Sequence, residues 1–126
     1  VVVLDGLTLQ PVRSFFAFEP SFTGGVWVAA ADVNGDGVAD IVCGAGEGGG
    51  PRVTVWDGRT GGLLADFFAF DPAFRGGVRV AAGDADGDGS ADLILAAGPG
   101  GAAHVRVLDG RTLAELASFF AFEPGF

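Results

Sequence analysis

A 52-residue period constrains this chain more than any other feature of its sequence. The run Phe-Phe-Ala-Phe, followed by an acidic residue and Pro, begins at Phe15, at Phe67 and at Phe119. Residues 15–66 align with residues 67–118 without a gap, and 30 of the 52 positions are identical. A fixed period of this length is typical of proteins built from repeated supersecondary units. We therefore expect two full copies of one structural unit.

Each period contains four short apolar segments separated by turns rich in Gly, Pro or Asp. In the first period the predicted strands are residues 26–31, 39–43, 52–56 and 63–70. A hairpin-like turn at residues 57–62 separates the last two of them. Gly, Pro or an Asp-Gly turn interrupts every segment before it reaches a useful helical length. Four strands in about 50 residues predict an all-β fold, namely a β-propeller of four-stranded antiparallel blades.

The register of the repeat divides the chain into three parts. Residues 1–14 match residues 53–66, so we expect residues 1–20 to form a partial blade from the last two strands of a unit. The first full blade is then residues 21–72, and the second is residues 73–126. The chain holds about two and a half blades on this reading of the repeat. We expect the Phe-rich runs to fill the space between neighbouring blades.

A nine-residue acidic stretch occurs once in each full period, at residues 32–40 and 84–92. Oxygen-bearing side chains stand at its positions 1, 3, 5 and 9, and Gly stands at positions 4 and 6. A calcium ion takes six to eight oxygen ligands, and the backbone carbonyl at position 7 can add one. The candidate ligands are Asp32, Asn34, Asp36, Val38 (through its carbonyl) and Asp40, and then Asp84, Asp86, Asp88, Ser90 (through its carbonyl) and Asp92.

Solvated Asp-Gly turns are the alternative interpretation of the two stretches, because turns commonly use Asp, Asn and Gly. However, so many like charges within a few ångströms would repel one another without a bound cation. An EF-hand is excluded because it needs a bidentate Glu at position 12, where the two loops have Cys43 and Leu95. We therefore expect about one Ca²⁺ per full blade.

Composition excludes several classes of function. The net charge of −9 counts against a nucleic-acid surface, although seven of the 16 acidic residues lie in the two nine-residue stretches. The sequence contains no signal-peptide pattern and no apolar run long enough to span a bilayer, so we expect no membrane insertion. A lone cysteine, Cys43, rules out an intramolecular disulfide, and its apolar neighbours predict a small buried side chain.

No motif in the sequence supports catalysis. The stretch from Gly44 to Gly49 matches a dinucleotide-binding pattern, but Pro and a strand follow it where a helix would be needed. His104 is the only histidine, and without an activated nucleophile nearby it is expected to be a surface residue. We therefore expect a protein that is not an enzyme. The alternative in this class is an accessory domain of a polysaccharide-active enzyme.

Both periods resemble the FG-GAP repeat of the integrin α-chain propeller, and the related VCBS repeat of bacterial surface proteins. The matching segments are residues 22–26, 30–37, 39–41 and 44–46 in the first period, and residues 74–78, 83–93 and 97–99 in the second. The resemblance implies a β-propeller that binds calcium between the first and second strands of each blade. It also implies adhesion or recognition of a protein or carbohydrate ligand, outside the cell or at its surface.

Two functional hypotheses follow from these observations. The first is a calcium-stabilised binding or adhesion module without catalytic activity. The second is a self-assembling structural scaffold, because two and a half blades leave sheet edges and inter-blade faces unburied. Association through those faces predicts a homo-oligomer.

Overall fold

The computed structural model describes residues 1–123 and is all-β. An N-terminal hairpin, β1 (Val2–Leu4) and β2 (Pro11–Ser14), precedes two four-stranded antiparallel sheets. The first sheet contains β3 (Val26–Ala31), β4 (Asp40–Ala45), β5 (Arg52–Trp56) and β6 (Leu63–Phe68), and the second contains β7 (Val78–Gly83), β8 (Asp92–Ala97), β9 (His104–Leu108) and β10 (Glu115–Phe120). Within each sheet the strands lie in chain order. No helix in this part of the chain is long and apolar enough to cross a membrane.

The 52-residue period is reproduced in the pairing of the strands. Val28 pairs with Cys43 in the first sheet, and their counterparts Val80 and Leu95 pair in the second. The N-terminal hairpin pairs in the register of β5 and β6, with a β-bulge at the matching place in both pairs. The prediction of four-stranded antiparallel units is therefore confirmed, and the described residues show no closed ring of sheets.

Three strand ends differ from the predictions. β4 was expected over residues 39–43, but it begins at Asp40 and extends through Ala45, because Gly44 and Ala45 pair with the start of β3. β6 was expected to reach Phe70, but it ends at Phe68. There the backbone N–H of Ala69 leaves the ladder and donates to the carbonyl of Pro51.

The hydrophobic core lies between the two sheets. β4 is buried along almost its whole length, which explains its continuous apolar sequence. The buried core residues are Val33, Val42, Val53, Val55, Ala69, Val78, Ala91, Leu93, Leu95 and Leu108. Cys43 is buried beside them, as predicted, and its burial raises the pKa of the thiol to about 11.

The Phe-rich runs fill the inter-sheet space only in part. In the second run Ala69 is fully buried, and the Phe70 ring lies 5.1 Å from the ring of His104 in the second sheet. Phe68, in contrast, is half exposed, because alternate residues of β6 face opposite sides of the sheet. Phe70 therefore lies between the two sheets as predicted, whereas Phe68 lines a cavity with Phe18 of the first run and Phe22 and is only half covered. The third run ends at Pro124, which lies outside the described residues.

Candidate metal centre

The first Asp of each acidic loop organises the loop backbone. Asp84 Oδ1 accepts hydrogen bonds from the N–H groups of Gly87 (2.8 Å) and Asp88 (3.2 Å), and Oδ2 accepts one from Gly89 (2.9 Å). Asp32 accepts the equivalent three bonds in the first loop. Bonds to the charged form, the Gly89 amide first, hold the pKa of Asp84 below its ordinary value. The carboxylate at position 1 therefore holds the backbone of each loop in its turned conformation.

Glycine is needed where these loops turn sharply. Gly87 and Gly89 have φ angles of +78° and +89°, which side-chain-bearing residues rarely adopt. The corresponding glycines of the first loop, Gly35 and Gly37, have φ angles of +79° and +85°. The glycines at positions 4 and 6 therefore adopt the left-handed conformation in both loops.

The last Asp of each loop is buried and joins the loop to a neighbouring turn. Asp92 Oδ2 accepts a hydrogen bond from Ala85 N–H at 2.8 Å. Asp92 Oδ1 faces the N–H of Gly110, 3.4 Å away in the turn between β9 and β10. Asp40 makes the equivalent bonds to Val33 and Gly58. The turn after the third strand is thereby held against each loop.

Four carboxylates converge in the second sheet. One oxygen from each of Asp86, Asp88, Asp92 and Asp109, here called the acidic cluster, lies within 4.8 Å of the others. Three of these residues were predicted as ligands, but Asp109 was not, because it lies outside the nine-residue stretch. Its signal in the sequence was the Asp-Gly-Arg-Thr turn, which occurs at residues 57–60 and 109–112.

The turn geometry leaves part of Asp109 available to the cluster. Its Oδ1 accepts the N–H groups of Arg111 (2.8 Å) and Thr112 (2.9 Å), which fixes the turn and lowers the pKa of the carboxyl. Asp86 shows the opposite effect: desolvation, together with the charges of Asp88 and Asp92, raises its pKa. A cation among these oxygens would offset that repulsion.

The first loop has a less negative site. Asn34 stands in the place of Asp86, and its side-chain amide donates to Asp57 Oδ2 at 3.3 Å. Arg59 approaches Asp36 Oδ2 at 3.3 Å and donates to the Asp36 carbonyl at 2.7 Å. An amide and a guanidinium therefore occupy positions around the carboxylates here, whereas the second site contains four Asp side chains.

The structure brings only three of the ten predicted ligands together in the acidic cluster. The four-Asp cluster does not contain Asp84, whose oxygens accept loop amides. Ser90 N–H donates to Asp88 Oδ1 at 2.9 Å, and Val38 N–H donates to Asp36 at the same distance. The assignment of metal ligands at Asp84, at Ser90 and at all five positions of the first loop therefore stays a prediction.

Fold and site together define an all-β repeat protein with an acidic cluster carried on the loop between the first two strands of a sheet. The FG-GAP-like repeat family matches residues 32–95, which is half of the chain, and the protein belongs to that family. The matched range begins at the first acidic loop and ends inside β8, so it includes both loops. No curated protein and no solved structure matches the chain.

Proposed function

We propose that this protein is a calcium-stabilised β-propeller module that binds a protein or carbohydrate ligand, or mediates adhesion, without catalysis. The observation that carries the calcium part is the acidic cluster of the second sheet. FG-GAP repeats are typically propeller blades, and each four-stranded sheet here has the strand order expected of one blade. We place the protein outside the cell or at its surface, where calcium is abundant enough for weak sites.

The donor set suits a hard divalent cation. All four groups of the acidic cluster are carboxylates, and carboxylate oxygens are the ligands that calcium prefers. The ion would lie between the β7–β8 loop and the β9–β10 turn, because Asp109 comes from the turn and the other three come from the loop or its end. Calcium would then stabilise the second sheet by holding the β7–β8 hairpin against the β9–β10 hairpin.

The two sites are expected to differ in affinity. The first lacks one carboxylate because Asn34 replaces an Asp, and Arg59 already neutralises part of Asp36. Calcium affinity in such loops depends on the number of charged ligands. We therefore expect the second loop to fill first.

Isothermal calorimetry on the full chain tests the proposed site. We expect the second loop to bind Ca²⁺ with a Kd of about 10⁻⁴–10⁻³ M, the range of extracellular modules. The informative variant is Asp109→Asn, because an Asn side-chain oxygen can keep the turn bonds to Arg111 and Thr112 while the charge is lost. It should weaken this site at least about tenfold.

A matched control is Glu47→Gln, which removes one charge from an exposed residue outside both loops. It should leave both calcium sites unchanged. Equal calcium affinity in the wild-type chain and in the Asp109→Asn variant would contradict the assignment of Asp109 to the site. Absence of any calcium binding at 10 mM, about ten times the weakest expected Kd, would contradict the calcium module itself.

We also propose that copies of this chain associate. The supporting observation is the side of the second sheet that carries Leu116 and Phe119, which are 43% and 48% exposed. Phe67, the counterpart of Phe119, packs against the core beside the second sheet. An apolar surface of this kind is typical of an interaction site.

A further inference from the structure

Equivalent valines of the two sheets have different surroundings. Val78 of β7 is fully buried and Val80 is packed against the core, because the first sheet covers them. Their counterparts on β3, Val26 and Val28, are 41% and 57% exposed. The sequence is the same at these positions, so the difference comes from what lies over each strand. We call the surface of Val26 and Val28 the open face.

An unpaired strand edge lies next to the open face. β5 pairs with both β4 and β6, whereas β1, its counterpart in the repeat, pairs only with β2 among the described residues. The hairpin register shows the equivalence, since Val3 pairs with Arg13 as Val55 pairs with Ala65. An unpaired edge presents a row of N–H and C=O groups that can pair with another strand.

The N-terminal hairpin covers the β5 and β6 side of the first sheet but not β3. Thr54 Oγ1 donates to the Ala17 carbonyl at 3.4 Å, and at the equivalent place Arg106 donates to the Ala69 carbonyl at 2.6 Å. Phe15 also packs against Trp56, with ring centroids 5.1 Å apart and the rings tilted by 49°. The N-terminal hairpin and the segment after it therefore pack against β5 and β6 in the same way as β5 and β6 pack against the second sheet. The space over β3 is left to another element.

We propose that the edge of β1 and the open face together bind a two-stranded antiparallel hairpin with the chemistry of β3–β4. The interface between the first and second sheets supplies the template, because there β3 and β4 lie against β7. One strand of the incoming hairpin pairs with β1 in the register of β4 with β5, and the other covers Val26 and Val28. A single two-stranded hairpin would thus pair the free edge of β1 and also cover the exposed valines of β3.

The template also sets a sequence requirement. Gly44 pairs with Val53, the counterpart of Val1, and lies close to the second sheet. A Cβ added at Gly44 would lie 2.5 Å from the Val78 carbonyl oxygen and 2.8 Å from Val80 Cγ1, distances that packed atoms do not tolerate. The incoming hairpin therefore needs Gly opposite Val1. β7–β8 has Ala96 at this position, so a β3–β4 sequence fits better than a β7–β8 sequence.

The acidic loop of the incoming hairpin would have a docking point as well. In the existing interface the Asp32 carbonyl accepts a hydrogen bond from Ala91 N–H at 2.9 Å, which links the two loops across the sheets. Ala39 is the counterpart of Ala91 and offers its N–H to the equivalent carbonyl. The loop, the strand edge and the open face thus form one continuous surface.

A synthetic peptide of residues 21–52, titrated into the isotope-labelled full chain, tests the proposal by NMR. We expect saturable shifts at the amides of Val2, Val3 and Leu4 and at the methyl groups of Val26 and Val28. A control peptide with Gly44→Val should bind at least tenfold more weakly. Equal binding of the two peptides, or shifts spread over the second sheet, would overturn the proposal. The proposal would also be overturned if the same amides and methyl groups shifted with the concentration of the chain alone, because the surface would then be the contact with a second copy.

A fusion avoids dependence on the folding of a free peptide. A second copy of residues 21–52 placed directly before Val1 continues the repeat in register, because Val1 is the counterpart of residue 53. We expect a higher denaturation midpoint than for the same fusion with Gly44→Val in the added copy. The same midpoint in both fusions would overturn the proposal whatever the peptide shows.

Discussion

At the scale of single residues, Arg52 connects the segment after the N-terminal hairpin to the first sheet. Its guanidinium contacts Glu19 Oε1 at 2.7 Å and holds Asp66 through two bonds of 2.7 and 2.8 Å. These bonds raise the pKa of Arg52 and lower the pKa of Asp66 from its ordinary 3.8. Partial exposure keeps the contribution of such a pair to stability small.

The pH dependence of an Asp66→Asn variant tests this contact. A carboxyl whose pKa is lowered by folding stabilises the protein above its unfolded-state pKa, and this contribution is lost as the pH falls through the folded-state pKa. We therefore expect the variant to lose about 0.5–1 kcal/mol at pH 7 and progressively less below pH ~4. Urea unfolding at pH 7 and pH 3 measures the difference. A loss that is unchanged at pH 3 would show that the charge of Asp66 is not its cause.

The sequence could predict the ligands that are close along the chain, but not those that the fold brings in. Asp86, Asp88 and Asp92 follow a spacing that can be recognised in any such loop. Asp109 lies 17 positions after Asp92 and reaches the cluster only because β8 and β9 are paired. The spacing also could not reveal that both oxygens of Asp84 accept loop amides.

At the scale of elements, the turn after the third strand packs closely against the acidic loop. A Cβ at Gly58 would overlap the carbonyl oxygen of Ala39. At Gly6, the matching position of the N-terminal hairpin, a Cβ would meet no atom within 4 Å. The contact of turn and loop explains why Asp-Gly recurs at this place in each full unit.

We expect Gly58→Ala to lower the free energy of unfolding by about 2–3 kcal/mol, because overpacking forces the backbone of the loop or the turn to shift. The matched variant Gly6→Ala should change it by less than about 0.5 kcal/mol. Chemical denaturation of both variants measures the two values. Similar losses at the two positions would show that backbone freedom, rather than the contact with Ala39, decides the effect.

The number and order of the strands in each unit were predictable because each unit carries strong turn signals and repeats without a gap. The strand ends were less predictable, since they depend on neighbours in space. Gly44 reads as a loop residue in the sequence, yet it belongs to β4 because Trp27 pairs with it. Phe70 reads as a strand residue, yet it leaves β6 and packs on Phe74 and His104.

At the scale of the whole molecule, the two ends of the repeat differ in what they leave exposed. The first sheet is half covered by the N-terminal hairpin, and its open face suits a hairpin that carries Gly opposite Val1. The second sheet exposes Leu116 and Phe119 on the side away from the first sheet. In a homo-oligomer formed by head-to-tail stacking, the second sheet of one copy would pack on the first sheet of the next. The N-terminal hairpin already covers part of that first sheet, in the place that the counterparts of β5 and β6 would take, so it would have to be displaced. Contact between two second sheets needs no such displacement.

Light scattering in the presence of calcium and after chelation measures the consequence. We expect a discrete oligomer in millimolar calcium, because calcium would hold the β7–β8 loop to the β9–β10 turn and so keep the second sheet ordered. Chelation should lower the molar mass, and Phe119→Asp should do so in calcium without loss of strand content by circular dichroism. Phe16→Asp is the control, since Phe16 is 71% exposed in the segment that follows the N-terminal hairpin, away from that contact. A folded monomer in both conditions would contradict association, and loss of the oligomer in both variants would contradict its assignment to the second sheet.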